Sequence, residues 1–269
     1  MKTLKIWMLL CLSLCASVAF AREGYVEQKI HVTPFDELEI GATYVVTFEK
    51  SNSYEIVLDL PEQLMTFART RVVNEKVILT FDTERMSRKE QRVLSEHRPY
   101  VRIKAPSFRK LTLYGATNLD LKGAFHLDEV KLDLSGASSL DAGTLKARRM
   151  KVDLSGASNI RVSDLVTDDL HLDISGASHC YLHAVETVNM KVDLSGASHL
   201  DMKTFAKYAD VDMSGMSHCD WKPLNSQVGE RLDIEVSGMS RMDAGKIRYR
   251  NISKDVSGMS KLDIQKARR

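Results

Sequence analysis

Met150-Lys151-Val152-Asp153-Leu154-Ser155-Gly156-Ala157-Ser158-Asn159-Ile160-Arg161-Val162 holds the plan of this 269-residue chain in one short stretch. Apolar and polar residues alternate up to Leu154, the period of a strand with one buried face. A Ser-Gly turn follows, where glycine supplies a backbone conformation that costs other residues energy. A second short strand, Ile160-Arg161-Val162, leaves the turn, and Leu165 marks a third apolar patch.

The unit recurs along the chain. Gly115, Gly136, Gly156, Gly176, Gly196, Gly215, Gly238 and Gly258 follow one another at steps of 21, 20, 20, 20, 19, 23 and 20 residues. A fixed period in this range marks a solenoid, propeller or array. Each unit is too short for a four-stranded blade and has no helix-forming stretch. Three short strands per unit make one coil of a parallel β-helix, and eight corners stacked at about 4.8 Å give a rod section about 34 Å tall. The predicted fold is all-β: a right-handed parallel β-helix, or β-solenoid, over residues 111–265. Its handedness follows the usual bias of parallel crossovers.

Equivalent positions in such a rod become columns. Leu134, Leu154, Ile174 and Leu194 are expected to stack in its interior. The position after glycine, Ala116 to Ala197 and then Met216, Met239 and Met259, reads as inward-facing, with methionine filling a wider section. Leu145, Leu165, Val185, Phe205 and Ile247 read as the third apolar patch. Cys180 and Cys219 replace leucine and isoleucine two coils apart, about 9.6 Å by stacking. A disulfide needs Cα atoms within about 7 Å, so two free buried thiols are predicted.

Residues 22–110 are less regular. Leu38-Glu39-Ile40-Gly41-Ala42-Thr43-Tyr44 echoes the stretch from Leu111 to Asn118, and Val45–Phe48, Tyr54–Leu58 and Val77–Phe81 read as strands. Pro61-Glu62-Gln63-Leu64 reads as a turn or a short helical piece. Glu84 to Arg98, rich in arginine, reads as a solvated loop or short helix. This portion is expected to cap the N-terminal end of the rod, since solenoids need atypical terminal units.

Residues 1–21 read as a secretory signal peptide: Lys2 and Lys5, an apolar run from Ile6 to Phe20, and a small-x-small site at Ala19-Phe20-Ala21. Neither Leu10-Cys11 nor Leu14-Cys15 offers the small residue that lipid attachment requires, so cleavage before Arg22 is expected. No second apolar segment of spanning length follows. The reading is an exported protein of the periplasm or outer-membrane surface, or secreted. Loss of Lys2 and Lys5 leaves 36 basic against 36 acidic residues. That balance argues against nucleic acid, whose phosphates ask for a basic face.

The exported start, the Ile40-Gly41-Ala42-Thr43-Tyr44-Val45-Val46 leader and the serial Leu-x-Leu-Ser-Gly-Ala-Ser coils together resemble the autotransporter adhesin "head GIN" domain family, common in Bacteroidetes. The resemblance covers roughly residues 25–265. It implies a β-helix similar in outline to pectin lyase-like folds, without a catalytic set. The sequence has no C-terminal β-barrel translocator and ends at Lys266-Ala267-Arg268-Arg269, so it reads as less than a complete autotransporter.

Three ladders are candidates for chemistry. The first, three residues before glycine, holds Asp133, Asp153, Asp173, Asp193, Asp212, Glu235 and Asp255. Like charges about 5 Å apart repel, and Lys131, Lys151 and Lys191 on the same strand face are placed to offset them. Further on, Asp210 and Asp233 take the lysine slot beside Asp212 and Glu235. Oxygen-rich clusters suit Ca²⁺, although the repeat lacks the glycine-rich nonapeptide of calcium β-rolls. A second acidic ladder, five residues after glycine, runs from Asp120 to Asp263, interrupted by Arg161 and Tyr181. The third ladder places His179, His199 and His218 in consecutive coils, where imidazoles can bind Zn²⁺ or Cu²⁺. In-register stacking holds such donors side by side rather than converging, and Arg241 and Lys261 continue the slot as a generic polar one. Metal candidates are therefore Asp210, Asp212, Asp233, Glu235, His179, His199 and His218, with no cofactor assigned.

Paired carboxylates also suggest glycoside hydrolysis. Yet catalytic acids should break a repeat, and these acids are the repeat. No Gly-x-Ser-x-Gly elbow occurs. Trp221, Tyr181 and Tyr249 are the few aromatics read as lying on the repeat surface, a sparse platform for sugars. The favoured reading is a non-catalytic exported solenoid presenting a patterned surface for adhesion or envelope interaction. The alternative is a carbohydrate-binding or carbohydrate-active protein on the same scaffold. The partner is an unknown surface ligand, a glycan or an envelope protein. The coil from Lys261 to Gln265 has no following coil to pair with. Two states are open: a monomer guarded by the charged tail, or weak self-association through that coil.

Overall fold

A computed structural model of the chain describes residues 24–264. The signal-peptide reading and the tail Lys266-Ala267-Arg268-Arg269 lie outside the described residues. The first half contains strands β1 (Tyr25–Ile30), β2 (Glu37–Ile40), β3 (Val45–Lys50), β4 (Glu55–Pro61), β5 (Ala68–Val73), β6 (Lys76–Phe81), β7 (Tyr100–Ala105), β8 (Lys110–Leu113) and β9 (Asn118–Lys122). Helix α1 (Arg88–Glu96) sits between β6 and β7. Then come β10 (Phe125–Leu134), β11 (Ser139–Leu154), β12 (Asn159–Ile174), β13 (His179–Leu194), β14 (His199–Met213), β15 (His218–Pro223), β16 (Gly229–Val236), β17 (Arg241–Ala244), β18 (Tyr249–Val256) and β19 (Lys261–Ile264).

The repeat builds a β-solenoid. Leu134, Leu154, Ile174 and Leu194 are register partners in turn and form one interior column. Each long strand bends twice. In β11 the buried residues are Leu140, Ala142, Leu145, Ala147, Met150, Val152 and Leu154. The spacing is two within a face and three at Gly143-Thr144 and Arg148-Arg149, so an extra residue per corner carries the chain around the coil while apolar side chains stay inward. Three faces per coil follow from that spacing, as the sequence predicted.

The third corner, at Ser-Gly, differs from expectation. The residue after glycine faces out: Met216, Met239 and Met259 are 60%, 53% and 78% exposed. The residue two after glycine faces in, with Thr117, Ser138, Ser158, Ser178, Ser198, Ser217 and Ser240 all buried. Leu134 and Ser138 are an even number of residues apart, so the inward phase resumes at Ser138 after a turn in which Gly136 and Ala137 are both exposed. Part of the row is satisfied locally: Thr117 Oγ1 donates to the Tyr114 carbonyl at 3.1 Å, Ser138 Oγ to that of Ser135 and Ser158 Oγ to that of Ser155, each at 2.8 Å, whereas the Ser178 and Ser198 hydroxyls are buried without a partner among the described residues.

Two further residues depart from the sequence reading. The 19-residue step before Gly215 removes one residue, and the register shifts between Leu182 and Val185. Val185 then pairs with Thr204, Thr204 and Ala206 point inward, and Phe205 is left half-buried outside the column. Trp221 is buried rather than on the surface, its Nε1 donating to the Thr204 carbonyl at 3.4 Å. It stands in register with the small Ala244, which leaves it room. The Tyr249 ring packs edge-on against it at 6.1 Å, and its hydroxyl donates to the Ala206 carbonyl.

The first half joins the same stack, out of sequence order. β2 pairs in parallel with β8 on one side and β6 on the other, and β3 likewise with β9 and β7. The coil 76–105 therefore lies outside the coil 37–50. Beyond it the pairing turns antiparallel, β5 on β6, β4 on β7 and β1 on β4, which closes that end. One apolar core continues from Phe35 to Ile247. The echo at Leu38 is offset by one: Leu38 and Ile40 register with Leu111 and Leu113, while Ala42, at φ 75°, packs under Gly115. Where the sequence left a turn or loop open against a short helix, the helix forms in both places: a 3₁₀ turn at Glu62–Leu64, and α1 with a capping box between Ser87 and Glu90. Arg98 ties the region down by donating to the carbonyls of Tyr44 and Ala116.

Candidate ligand-binding face

Columns of polar side chains cover the outside of the coils, and each ladder predicted from sequence is a straight row. In the first, Lys131 bridges Asp133 and Asp153 at 3.1 Å each, Lys110 reaches Asp133 at 3.3 Å, and Lys151 reaches Asp153 at 3.1 Å. Asp193 is met by Lys191 at 3.4 Å and by His171 at 3.6 Å. Burial tends to raise the Asp153 carboxyl, but the two lysines more than offset it and hold it low.

That compensation stops where the lysines stop. Asp210 registers with Asp233 and Asp212 with Glu235. Arg231 bonds Asp233. Asp212 is pushed above the usual carboxylate range, first by burial and then by the charges of Asp210, Glu235 and Asp193. These four acids stand in two neighbouring rows. Among the described residues no group of three or more His, Cys, Asp or Glu side chains gathers in a way that would hold a metal ion.

His179, His199 and His218 stack ring against ring, at 5.9 Å and 5.0 Å. Burial, and then the His218 charge, lower the basicity of His199. The three face the same way from successive coils rather than toward a shared point. The second acidic ladder finds its own partners: Lys122 on Asp120 and Arg161 on Asp141 at 3.5 Å, with the His218 ring 3.3 Å from Asp220. Cys180 and Cys219 are free and buried, separated by Leu200, and burial pushes both thiols far up.

Sequence reasoning missed an extended concavity. A groove of about 760 Å³ runs along the rod from Arg109 and Lys110 to Arg231 and Asp233. Its floor follows the corner residues Val130, Met150, Leu170, Met190 and Ala209. Its walls are two rows of charged and polar side chains, among them Arg149, Asp169 and Tyr208 on one side and Lys151, His171 and Lys191 on the other. Six coil steps at about 4.8 Å give it a length near 29 Å. On one wall partners lie within the row, Arg149 bonding Glu129 and Asn189 donating to Asp169 at 2.7 Å; on the other, Lys151 and Lys191 reach Asp153 and Asp193 of the neighbouring row at 3.1 and 3.4 Å. The signal available in the sequence was the double-length apolar gap at that corner, which a search for chemistry-bearing residues passes over.

The family model described as "Putative auto-transporter adhesin, head GIN domain" matches residues 34–167 and 145–196, more than half of the chain. The chain belongs to this head GIN domain family. Solved structures of the same fold include a "putative adhesin" from Bacteroides fragilis, 12% identical, TM-score 0.66, covering 90% of this chain and 97% of the other. A second "putative adhesin", from Parabacteroides merdae, is 14% identical with TM-score 0.65 and covers 91% and 98%. A "putative lipid binding protein" from Parabacteroides distasonis is 12% identical with TM-score 0.68 and covers 90% and 98%. No curated protein matches the chain. No helix among the described residues is long and apolar enough to cross a membrane.

Proposed function

We propose that this head GIN domain is an exported, non-catalytic binding rod that engages an extended ligand of the cell surface or envelope along its groove. The observation that carries the reading is the groove itself. It is long, open and parallel to the rod axis, and its walls repeat at every coil. Such a site suits a polymer or an extended chain that makes the same contact several times, each weak and together strong. Catalysis by paired carboxylates asks for two acids flanking one bond. Here acids recur as rows, coil after coil, rather than as one pair set apart.

Glycan arrays and pull-downs from bacterial envelope and host-surface fractions, run with the native protein and with Arg149→Glu/Lys191→Glu, test the reading. Both substitutions lie on the groove walls and leave the core untouched. Binding lost in the variant with an unchanged melting curve is the expected result. Binding that ignores the groove, or release of sugar from a bound glycan, overturns it. A second reading draws on the apolar floor: an acyl chain laid along the groove, which is also in keeping with the description of the Parabacteroides distasonis relative. A fluorescent fatty acid displaced in the same variant, with no glycan bound, selects it.

A further inference from the structure

The two ends of the rod are finished in different ways. At the N-terminal end the parallel stack is closed by antiparallel strands, β5 on β6 and β4 on β7, over buried Leu64 and Leu94. At the other end, β18 and β19 pair only with β16 and β17 among the described residues. Among the described residues nothing pairs with their outer edges. Ile252 and Val256 continue interior columns into this coil, yet each is 44% exposed. A coil like this is a template for another strand.

One interior column breaks at this coil. Val152, Leu172, Val192, Val211 and Ile234 are register partners in succession and fully or nearly fully buried. The next member is Lys254. It occupies the inward slot between Ile252 and Val256, it is exposed, and among the described residues its side chain has no ion pair or hydrogen bond. Elsewhere on the repeat, lysines lie on outward rows beside acids, as Lys131, Lys151 and Lys191 do. A cation in the middle of an otherwise apolar end face forbids stacking: covering it strips an unpaired charge of water, a penalty far larger than the benefit of burying its apolar neighbours.

We propose that Lys254 is a guard residue: the end coil has the shape and apolar character to stack on a second copy of this chain, and the inward lysine keeps it from doing so. On this proposal a solenoid whose end coil is open keeps to a single rod. The guard also defines what the end face admits, namely a partner that brings a carboxylate opposite Lys254. Among the described residues, the same face of a second copy brings no carboxylate in its inward slots, since those of β18 and β19 hold Ile252, Lys254, Val256, Leu262 and Ile264.

Light scattering after size exclusion, over a dilution series, tests the proposal on the native protein, Lys254→Ile and Lys254→Glu. The native protein and Lys254→Glu should show the mass of one copy throughout. Lys254→Ile should rise to two copies or more as concentration increases, with an unchanged circular dichroism spectrum. Adding Val256→Lys to Lys254→Ile should restore the single copy, which places the contact at this end. A native protein that associates, a Lys254→Ile that stays single, or association that survives Val256→Lys overturns the proposal.

Discussion

Gly176→Ala offers the sharpest test of the stacking geometry. Gly176 has φ 70° and sits over Gly156 of the preceding coil. A Cβ placed there lies 2.5 Å from the Gly156 carbonyl oxygen and 2.9 Å from its nitrogen, both backbone atoms with no freedom to move aside. The left-handed conformation costs a non-glycine residue about 1–2 kcal/mol. Relieving the contact also requires the coils to part, which strains the bond from the Ala177 amide to the Gly156 carbonyl at 2.7 Å, a link of about 1 kcal/mol. The sum is about 2–3 kcal/mol, or roughly 4–12 °C in melting temperature for a chain of this size. Gly143 is the control. It lies in β11 outside the positive-φ set, and an added Cβ meets nothing within 4 Å. Gly143→Ala should leave stability unchanged or raise it by about 0.5 kcal/mol, through the loss of freedom in the unfolded chain. Thermal and urea melts of the two variants decide. Equal losses, or no loss for Gly176→Ala, would refute the account of the corner as a contact between successive glycines.

Leu154→Asp should unfold the rod or cost more than about 4 kcal/mol, because it buries an unpaired charge, while Asp153→Asn should stay within about 0.5 kcal/mol; similar melts for the pair would mean the strand faces are inverted. Asp212 has its carboxyl raised in the folded state, so its ionisation works against folding, and that penalty sets in as pH rises from the unfolded value of 3.8 through the raised folded one. Asp212→Asn should accordingly stabilise at neutral pH and make no difference in strong acid, which a series of melts against pH will show. Cys180 and Cys219 should resist thiol reagents in the native state and react once denaturant opens the core; rapid native labelling would contradict their place in the interior.

Most of the fold was legible because it is periodic. A strand period of two, broken every twenty or so residues by Ser-Gly, fixes which residues pair and which face inward. The columns through Leu154 and Val152, the free thiols, and the lysine-acid pairing on the outer row all follow from counting. The failures came where the period alone has two solutions. Whether Ala137 or Ser138 turns inward at the corner depends on the path of two residues through a tight turn, and composition favoured the apolar one. The structure chose the serine because its hydroxyl reaches the Ser135 carbonyl and the alternation never changes phase. Phe205 was misplaced for a related reason: a one-residue deletion is absorbed at a corner, and sequence does not say which corner.

The sequence by itself determined that the chain repeats, that the repeat is β, and which residues belong to one column, since those depend on spacing along the chain. Tertiary structure alone decided the order in which coils 76–105, 37–50 and 110–122 stack, because strand pairing at a distance leaves no mark on local pattern. It also decided where a groove opens along one corner, a matter of how three faces meet in space. Lys254 shows both at once. It is one lysine among many in the sequence, and only the register of β18 on β16 reveals that it stands in a column meant for apolar side chains.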